Sequence, residues 1–172
     1  GLGDVYKRQL LGTEDFRFLD HAGIDPIAIT RAIIVDIVAM KFIQGGSTLT
    51  QQLVKNLFLT NEKKLSRKFK EIIYAIYIEN LLEKEEILAL YLNEVFWGTH
   101  GGVYLTGFYA ASLAYFNKTP EHLSDFEATI LVSLLKGPNF YSLRKGHERI
   151  KSRAEAVSVS YTHLTLPTKR IV

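Results

Sequence analysis

The segment from Thr13 to Gly23 is the first in the chain whose side chains could do chemistry. Glu14 and Asp15 are followed directly by aromatic residues. A carboxyl group that aromatic rings shield from water can have its pKa raised, which suits a general base or acid. The alternative is a helix start at which acidic side chains favour the helix dipole, and composition alone favours that alternative. Base chemistry at Glu14 therefore requires that other segments supply the rest of a site.

A second polar segment covers residues 44–56, where two glycines lead into a helix start rich in hydroxyl and amide side chains. Backbone N–H groups at such a start can receive an anion. Thr48, Gln52 and Lys55 share one face of this helix, away from its leucines. A well-capped surface helix is the alternative, but the polar side chains outnumber those that capping requires.

A third segment, residues 63–71, is a cationic run with one carboxylate. Lys63, Arg67 and Glu71 are spaced by four residues, so they share a helical face. Cations grouped beside one carboxylate can hold a phosphate or a diphosphate. A solvated charged face with ordinary ion pairs is the alternative, and it usually explains an isolated basic run.

The rest of the sequence indicates structural roles and shows no further catalytic or metal-binding motif. Residues 87–98 are mostly apolar, and Asn93 lies near the end of a predicted helix, where we expect it to hold the following turn. The chain has no cysteine, and its histidines lack a metal-ligand spacing such as HExxH, so neither a thiolate site nor a histidine cage is expected. A GxSxG elbow, a P-loop and a dinucleotide fingerprint are all missing from the sequence.

Helices must position these segments, because helical periodicity dominates the sequence. Thr48 with Gln51, and Ser124 with Glu127, predict capping boxes at two helix starts. Alternating runs of strand length are scarce, so we expect one compact, mainly α domain. The predicted helices cover residues 26–43, 47–58, 64–82, 84–95, 104–116, 124–136 and 147–157.

Two of these helices each bring apolar side chains together in one stripe. The first stripe is Leu49, Leu53 and Leu57, and the second is Leu65, Phe69, Ile72 and Ile76.

The two ends of the chain differ from its middle. Residues 1–9 and 158–172 show no helical period and look like translated adapter sequence, so we predict that they are non-native. They carry the whole formal charge of +3, because the remaining residues contain equal numbers of basic and acidic side chains. A generally basic chain would suggest nucleic acid, and a neutral one removes that suggestion. No uninterrupted apolar run is long enough to span a membrane.

The order and spacing of the segments resemble glycosyltransferase family 51, the transglycosylase domain of class A penicillin-binding proteins and of monofunctional enzymes. Its motif EDxxFxxHxG is met at residues 14–23, and GxSTxTQQxxKN at residues 45–56. RKxxExxxAxxLE is met at residues 67–79, with Ile78 at the leucine position, and ILxxYLNxxxxG at residues 87–98.

A fifth family motif, RRxxVL, is only partly present. Arg153 and Val157 fit it, while Ala154 replaces the second arginine and Ser158 replaces the leucine. The resemblance therefore covers about residues 10–157, which we predict to be a C-terminally truncated glycosyltransferase domain.

The resemblance implies a lysozyme-like α fold with a membrane-facing small lobe. It also implies polymerisation of lipid II into β-1,4 glycan strands with inversion and release of undecaprenyl diphosphate. Glu14 would be the general base, and Glu71 matches the family's second essential glutamate. Glu71 would orient cations, hold a divalent ion such as Mg²⁺ or Mn²⁺, or assist the leaving group, and the sequence does not choose among these roles. No cofactor is required otherwise.

The remaining site positions are also carried over from the family. The leaving diphosphate is assigned to Lys55, Lys63, Arg67 and Lys68. Further substrate-binding positions are Ser47, Thr48 and Gln52, and supporting positions are Asp15, Arg17 and Asn93.

The expected partners are lipid II, the lipid-linked growing glycan, the membrane surface and other cell-wall synthesis proteins, with no nucleic acid. The expected location is the outer, periplasmic face of the bacterial cytoplasmic membrane. Residues 26–43 have two interpretations, an interfacial helix of the lipid-contacting lobe and a helix buried on both sides. Two rival functions stay open: a lytic transglycosylase or muramidase that cleaves glycan, and an inactive lipid II-binding module.

Overall fold

The computed structural model describes residues 2–41, 45–59, 65–138, 150–155 and 157–158. Within these ranges the chain is mainly helical, as predicted. The helices are α1 (Leu2–Glu14), α2 (Pro26–Ala39), α3 (Leu49–Phe58), α4 (Leu65–Leu81), α5 (Lys84–Glu94), α6 (Phe108–Phe116) and α7 (Asp125–Leu134). Short 3-10 helices cover Phe18–Asp20 and Pro120–His122, and the strands are β1 (Phe96–His100) and β2 (Val103–Thr106). Residues 150–155 and 157–158 are also helical.

The chain divides into two compact units, residues 17–94 and residues 1–16 with 95–172. None of the helices in the described ranges is long and apolar enough to cross a membrane.

Side-chain caps fix where the helices begin. Both predicted capping boxes are confirmed, at Thr48 with Gln51 and at Ser124 with Glu127. The Asp25 carboxylate caps α2 by accepting hydrogen bonds from the backbone N–H groups of Ile27 and Ala28, at 2.9 and 3.0 Å. These caps satisfy N–H groups that have no partner inside their own helix.

The core of the unit formed by residues 17–94 is built around α3. Leu49, Leu53 and Val54 are buried, and α3 packs against α4 and α5. Leu57 was predicted to continue the stripe, but it is 38% exposed. The stripe therefore ends one turn before the helix does.

The apolar stripe on α4 is mostly exposed. Leu65 is 91% exposed, and Phe69 and Ile76 are also exposed, whereas Glu71 and Ala75 are buried. The reason is that α4 turns its charged face inward, where ion pairs and hydrogen bonds satisfy the polar groups. The periodicity of apolar residues cannot reveal a buried helix face whose polar atoms are paired.

A close backbone approach joins the segment after residue 17 to α4. Gly23 has φ of +88°, and a Cβ built on it would lie 2.7 Å from both the carbonyl carbon and the carbonyl oxygen of Ala75. The carbonyl oxygen of Gly23 accepts a hydrogen bond from Thr48 Oγ1 at 2.7 Å. Gly23 is thus held between the start of α3 and the middle of α4, in a space that no side chain could share.

In the other unit, α1 packs against α7. Gln9 is buried, and its Nε2 donates a hydrogen bond to Thr129 Oγ1 at 2.7 Å. The rings of Tyr6 and Phe108 lie 4.3 Å apart, centroid to centroid. Residues 1–9 were expected to show no helical period, and that expectation is wrong, because α1 begins at Leu2. The non-native origin of both ends and the boundaries of the domain stay predictions.

The helix predicted over residues 104–116 begins only at Phe108. Residues 103–106 instead form β2, which pairs with β1 as an antiparallel hairpin. Gly101 and Gly102 make its turn with positive φ angles of +59° and +84°. Trp97 of β1 is fully buried, and its ring lies 5.2 Å from that of Phe108. The glycine turn and the pairing of β2 with β1 therefore outweigh the local helical pattern.

Gly23→Ala is expected to destabilise the protein by about 1–3 kcal/mol through the forced displacement of α4, in addition to the cost of its left-handed backbone. Gly101→Ala is the matched control, because Gly101 also has positive φ but has open space where the Cβ would lie. Chemical denaturation of both variants measures the difference. Equal losses in the two variants would contradict the close approach to Ala75.

Candidate active site

Glu71 organises a cluster of cations in the unit formed by residues 17–94. Its side chain is 4% exposed. Arg67 Nε donates to Glu71 Oε1 at 3.0 Å, and Lys68 Nζ donates to Glu71 Oε2 at 2.8 Å. Lys68 Nζ also donates to Ser47 Oγ at 2.7 Å. The structure therefore brings together Ser47, Arg67, Lys68 and Glu71, four of the predicted site residues.

The cluster can receive an anion. Lys68 is 41% exposed and Arg67 is 22% exposed, so both cations reach solvent while their carboxylate partner does not. Arg67 contacts Glu71 through Nε, which leaves its Nη groups available as donors. A preoriented guanidinium and ammonium side by side match the oxygens of a phosphate group.

The start of α3 supplies further predicted positions. Thr48 is buried, and its hydroxyl is committed to Gly23 and to the cap of α3. Gln52 is half-buried, and its Oε1 accepts a hydrogen bond from Tyr91 Oη at 3.2 Å. Lys55 is half-buried, and its side chain forms no ion pair or hydrogen bond with another described residue. Lys63 lies outside the described residues.

Glu14 lies in the other unit, at the end of α1. Its side chain is 14% exposed, and its buried Oε1 has no hydrogen-bond partner in the described part of the chain. Arg153 forms an ion pair with Glu14, and its Nη2 is 3.8 Å from that oxygen. Sequence reasoning placed Arg153 in the partial fifth motif but did not make it a site residue, although that motif was the available signal. Asp15 is buried next to Glu14.

Arg17 has a positioning contact with a residue that sequence reasoning missed. Its Nε lies 3.2 Å from Asp25 Oδ2, while Asp25 caps α2 with its other oxygen. The signal was an aspartate directly before a proline-led helix, the pattern of an N-cap. Asn93 is exposed near the end of α5.

Comparison with known proteins decides the family. The transglycosylase family model matches residues 2–161, which is most of the chain. The chain belongs to the transglycosylase family.

Several penicillin-binding proteins are similar to this transglycosylase domain. Penicillin-binding protein 1B of Vibrio cholerae is 42% identical over 154 residues, which cover 90% of this chain and 20% of that protein. Penicillin-binding protein 1A of Aquifex aeolicus is 47% identical over 147 residues, which cover 86% of this chain and 20% of that protein. Penicillin-binding protein 1F of Bacillus subtilis is 40% identical over 151 residues, which cover 88% of this chain and 21% of that protein. The chain spans about a fifth of the length of the curated relatives it matches.

The surroundings of Glu71 do not fit a divalent cation. Both of its carboxylate oxygens already accept hydrogen bonds from cationic side chains. Mg²⁺ and Mn²⁺ prefer several oxygen ligands, and the described residues contain no group of three carboxylate, histidine or cysteine side chains that could hold a metal. The donor set instead suits a carboxylate that orients Arg67 and Lys68.

The α2 helix of this transglycosylase domain exposes much apolar surface. Ile33, Ile34, Ile37 and Val38 are all more than half exposed, and Ala32 is its buried residue. A helix buried on both sides would hide these side chains. The exposure favours the interfacial interpretation of residues 26–39.

Glu71→Gln is expected to destabilise the protein by about 3 kcal/mol, at the low end for breaking a buried ion pair, because both cations keep contact with water. Thermal or chemical denaturation measures the loss. Glu94→Gln, which changes an exposed glutamate of α5, should stay within about 0.5 kcal/mol of the wild type. A Glu71→Gln variant as stable as Glu94→Gln would show that the ion pairs contribute nothing.

Proposed function

We propose that this domain polymerises lipid II into β-1,4-linked glycan strands with inversion at the anomeric carbon. The observation that carries the proposal is the pair of cations that buried Glu71 orients beside Ser47, at the start of α3. Arg67 and Lys68 form a preorganised anion site. A lipid-linked sugar diphosphate is the substrate class that needs such a site when its bond breaks.

Glu14 is the base in this proposal. Its Oε1 has no donor among the described residues, so this oxygen can take the proton of the acceptor's 4-hydroxyl on N-acetylglucosamine. The acceptor oxygen then forms a bond to C1 of the donor's N-acetylmuramic acid. The bond from C1 to the diphosphate oxygen breaks, its electron pair leaves with undecaprenyl diphosphate, and the α linkage becomes β.

The leaving group explains why cations take the place of a second acid. Diphosphate departs readily, so strong protonation is needed less than in glycoside hydrolysis. Negative charge instead grows on the phosphate oxygens, and preoriented donors stabilise that charge more in the transition state than in the ground state. Arg67, Lys68 and Lys55 supply these donors, and Glu71 keeps the first two in place. Neither a divalent ion nor another cofactor is required.

The lipid part of the substrate implies a membrane surface. The exposed isoleucines and valine of α2 are the apolar surface that an interfacial helix buries at the boundary of headgroups and acyl chains. We place this chain at the outer, periplasmic face of the bacterial cytoplasmic membrane, where lipid II and the lipid-linked glycan would meet it. Other cell-wall synthesis proteins are further partners in this proposal.

The two rival functions fit the site less well. A lytic transglycosylase or muramidase cleaves glycan that has no diphosphate, so it has no use for the pair formed by Arg67 and Lys68. An inactive lipid II-binding module has no use for a buried carboxylate oxygen without a donor, which Glu14 has. Such an oxygen is costly to bury, and a base that must accept a proton accounts for it.

Glu14→Gln is expected to lower polymerisation of labelled lipid II by at least about 100-fold, because an amide cannot take the proton. Circular dichroism should show an unchanged fold. Glu155→Gln, at an exposed glutamate, is the control and should keep full activity. A second assay incubates the wild type with purified cell wall. Release of soluble muropeptides without any polymer from lipid II would contradict the proposal and favour the lytic rival.

Lys68→Met is expected to lower kcat for polymerisation by about 100-fold and to change KM much less, because the lost charge acts mainly on the departing diphosphate. Lys70→Met is the matched control on the same helix, since Lys70 is exposed and is not part of the cluster. Initial rates over a range of lipid II concentrations separate the two constants. Equal rates for the two variants would remove Lys68 from the proposed site.

A further inference from the structure

Lys84 has an unusual position for a cation. It is the first residue of α5, where the helix dipole favours negative side chains. Its ammonium group turns back to three partners in the unit formed by residues 17–94. Lys84 Nζ is 2.6 Å from Glu79 Oε2, donates to the carbonyl oxygen of His21 at 2.6 Å, and lies 4.5 Å from the centre of the Phe18 ring.

Glu79 connects Lys84 with α3. Its side chain is 4% exposed, and its Oε1 accepts a hydrogen bond from Thr50 Oγ1 at 2.5 Å. Thr50 is fully buried in the first turn of α3. The two oxygens of one carboxylate thus connect the first residue of α5 with the start of α3.

The start of α3 also holds the anion site. Ser47 Oγ accepts from Lys68 Nζ, and Thr48 Oγ1 donates to the carbonyl oxygen of Gly23. The segment containing His21 and Gly23 is therefore held at two points, by Lys84 and by Thr48. A shift of the α3 start relative to α4 would change the distance from Ser47 to Lys68 directly.

We infer that Lys84 is a positioning residue, which acts through Glu79 and Thr50 to hold the start of α3 where Ser47 orients Lys68 for the departing diphosphate. This inference rests on the proposed function. Burying an ion pair adds little stability compared with apolar side chains of the same volume, whereas it can specify one geometry. Small displacements of groups that act in the transition state lower turnover strongly.

The test replaces the ion pair by an apolar pair. The Lys84→Met/Glu79→Met double variant keeps the volume and leaves no unpaired charge, so its loss of thermal stability is expected to be limited to the cost of leaving the buried Thr50 hydroxyl without its acceptor. Its kcat with lipid II is expected to fall by about tenfold or more, while KM changes by less than about threefold. Wild-type turnover in a stable double variant would overturn the inference.

The control is an ion pair of the same type outside the proposed site. Lys118 Nζ contacts both carboxylate oxygens of Glu127 at 2.7 and 2.9 Å, and the hydrogen bond from Lys118 holds the pKa of that carboxyl below its ordinary value. Lys118→Met/Glu127→Gln removes the pair and keeps an oxygen to cap Ser124. Its turnover should equal that of the wild type. An equal loss in both double variants would show a general effect of removing ion pairs and overturn the inference.

If the Lys84→Met/Glu79→Met variant does not fold, two measurements on another variant still test the inference. Thr50→Val severs only the contact from Glu79 to α3 and leaves the ion pair intact, and it should lower kcat in the same direction. Amide hydrogen exchange in residues 49–54 should be faster in Thr50→Val than in the Lys118/Glu127 control. Unchanged exchange or unchanged kcat in Thr50→Val would overturn the inference.

The experiment also separates this inference from the proposed function. A wild-type chain that makes no polymer, or a Glu14→Gln variant that keeps polymerising, contradicts the proposed function. In either case the exchange measurement still decides whether the contacts of Lys84 and Glu79 hold the start of α3. A wild type that polymerises, with an inactive Glu14→Gln and a fully active Lys84→Met/Glu79→Met, contradicts only the inference.

Discussion

The buried carboxylate of Glu71 is the constraint on which much of the unit formed by residues 17–94 depends. A charge removed from water must be paired, and Arg67 and Lys68 pair with it on the same helix. This turns the charged face of α4 toward α3 and sends its apolar side chains outward. The same packing produces an anion site on one face of α4 and an exposed apolar surface on the other, and both suit the lipid-linked diphosphate that we propose as substrate.

Small residues let the other segments come close to this carboxylate. Gly23 lies against the backbone of Ala75, one turn along α4 from Glu71. The Thr48 hydroxyl then reaches the Gly23 carbonyl oxygen, and the neighbouring Ser47 reaches Lys68. The glycine, the hydroxyl pair and the alanine belong to three different sequence motifs. Their spacing along the chain therefore reflects one set of contacts.

Features that depend only on residues close in sequence could be predicted from the sequence. Capping at Thr48 and Ser124 depends on residues three positions apart, so the sequence shows both capping boxes directly. Hydrophobicity alone could not show that the stripe on α4 is exposed, because Glu71 on the charged face is buried with partners that compensate its charge. The hairpin could not be predicted from the helical pattern of residues 104–107, because it depends on the pairing of residues 103–106 with β1. The cation cluster was predicted through the resemblance, whereas Lys84 makes contacts across sequence distances that no motif displays.

The different exposures of Glu71 and its cations have a consequence for ionic strength. Dissolved salt screens charges that face water and acts much less on buried ones. The contacts that orient Arg67 and Lys68 end on a carboxylate that is 4% exposed, while the outward sides of both cations reach solvent. Added salt should therefore weaken the capture of an incoming anion and leave the orientation of the cations almost unchanged. The orientation of Arg67 and Lys68 and their attraction for an anion therefore respond differently to salt.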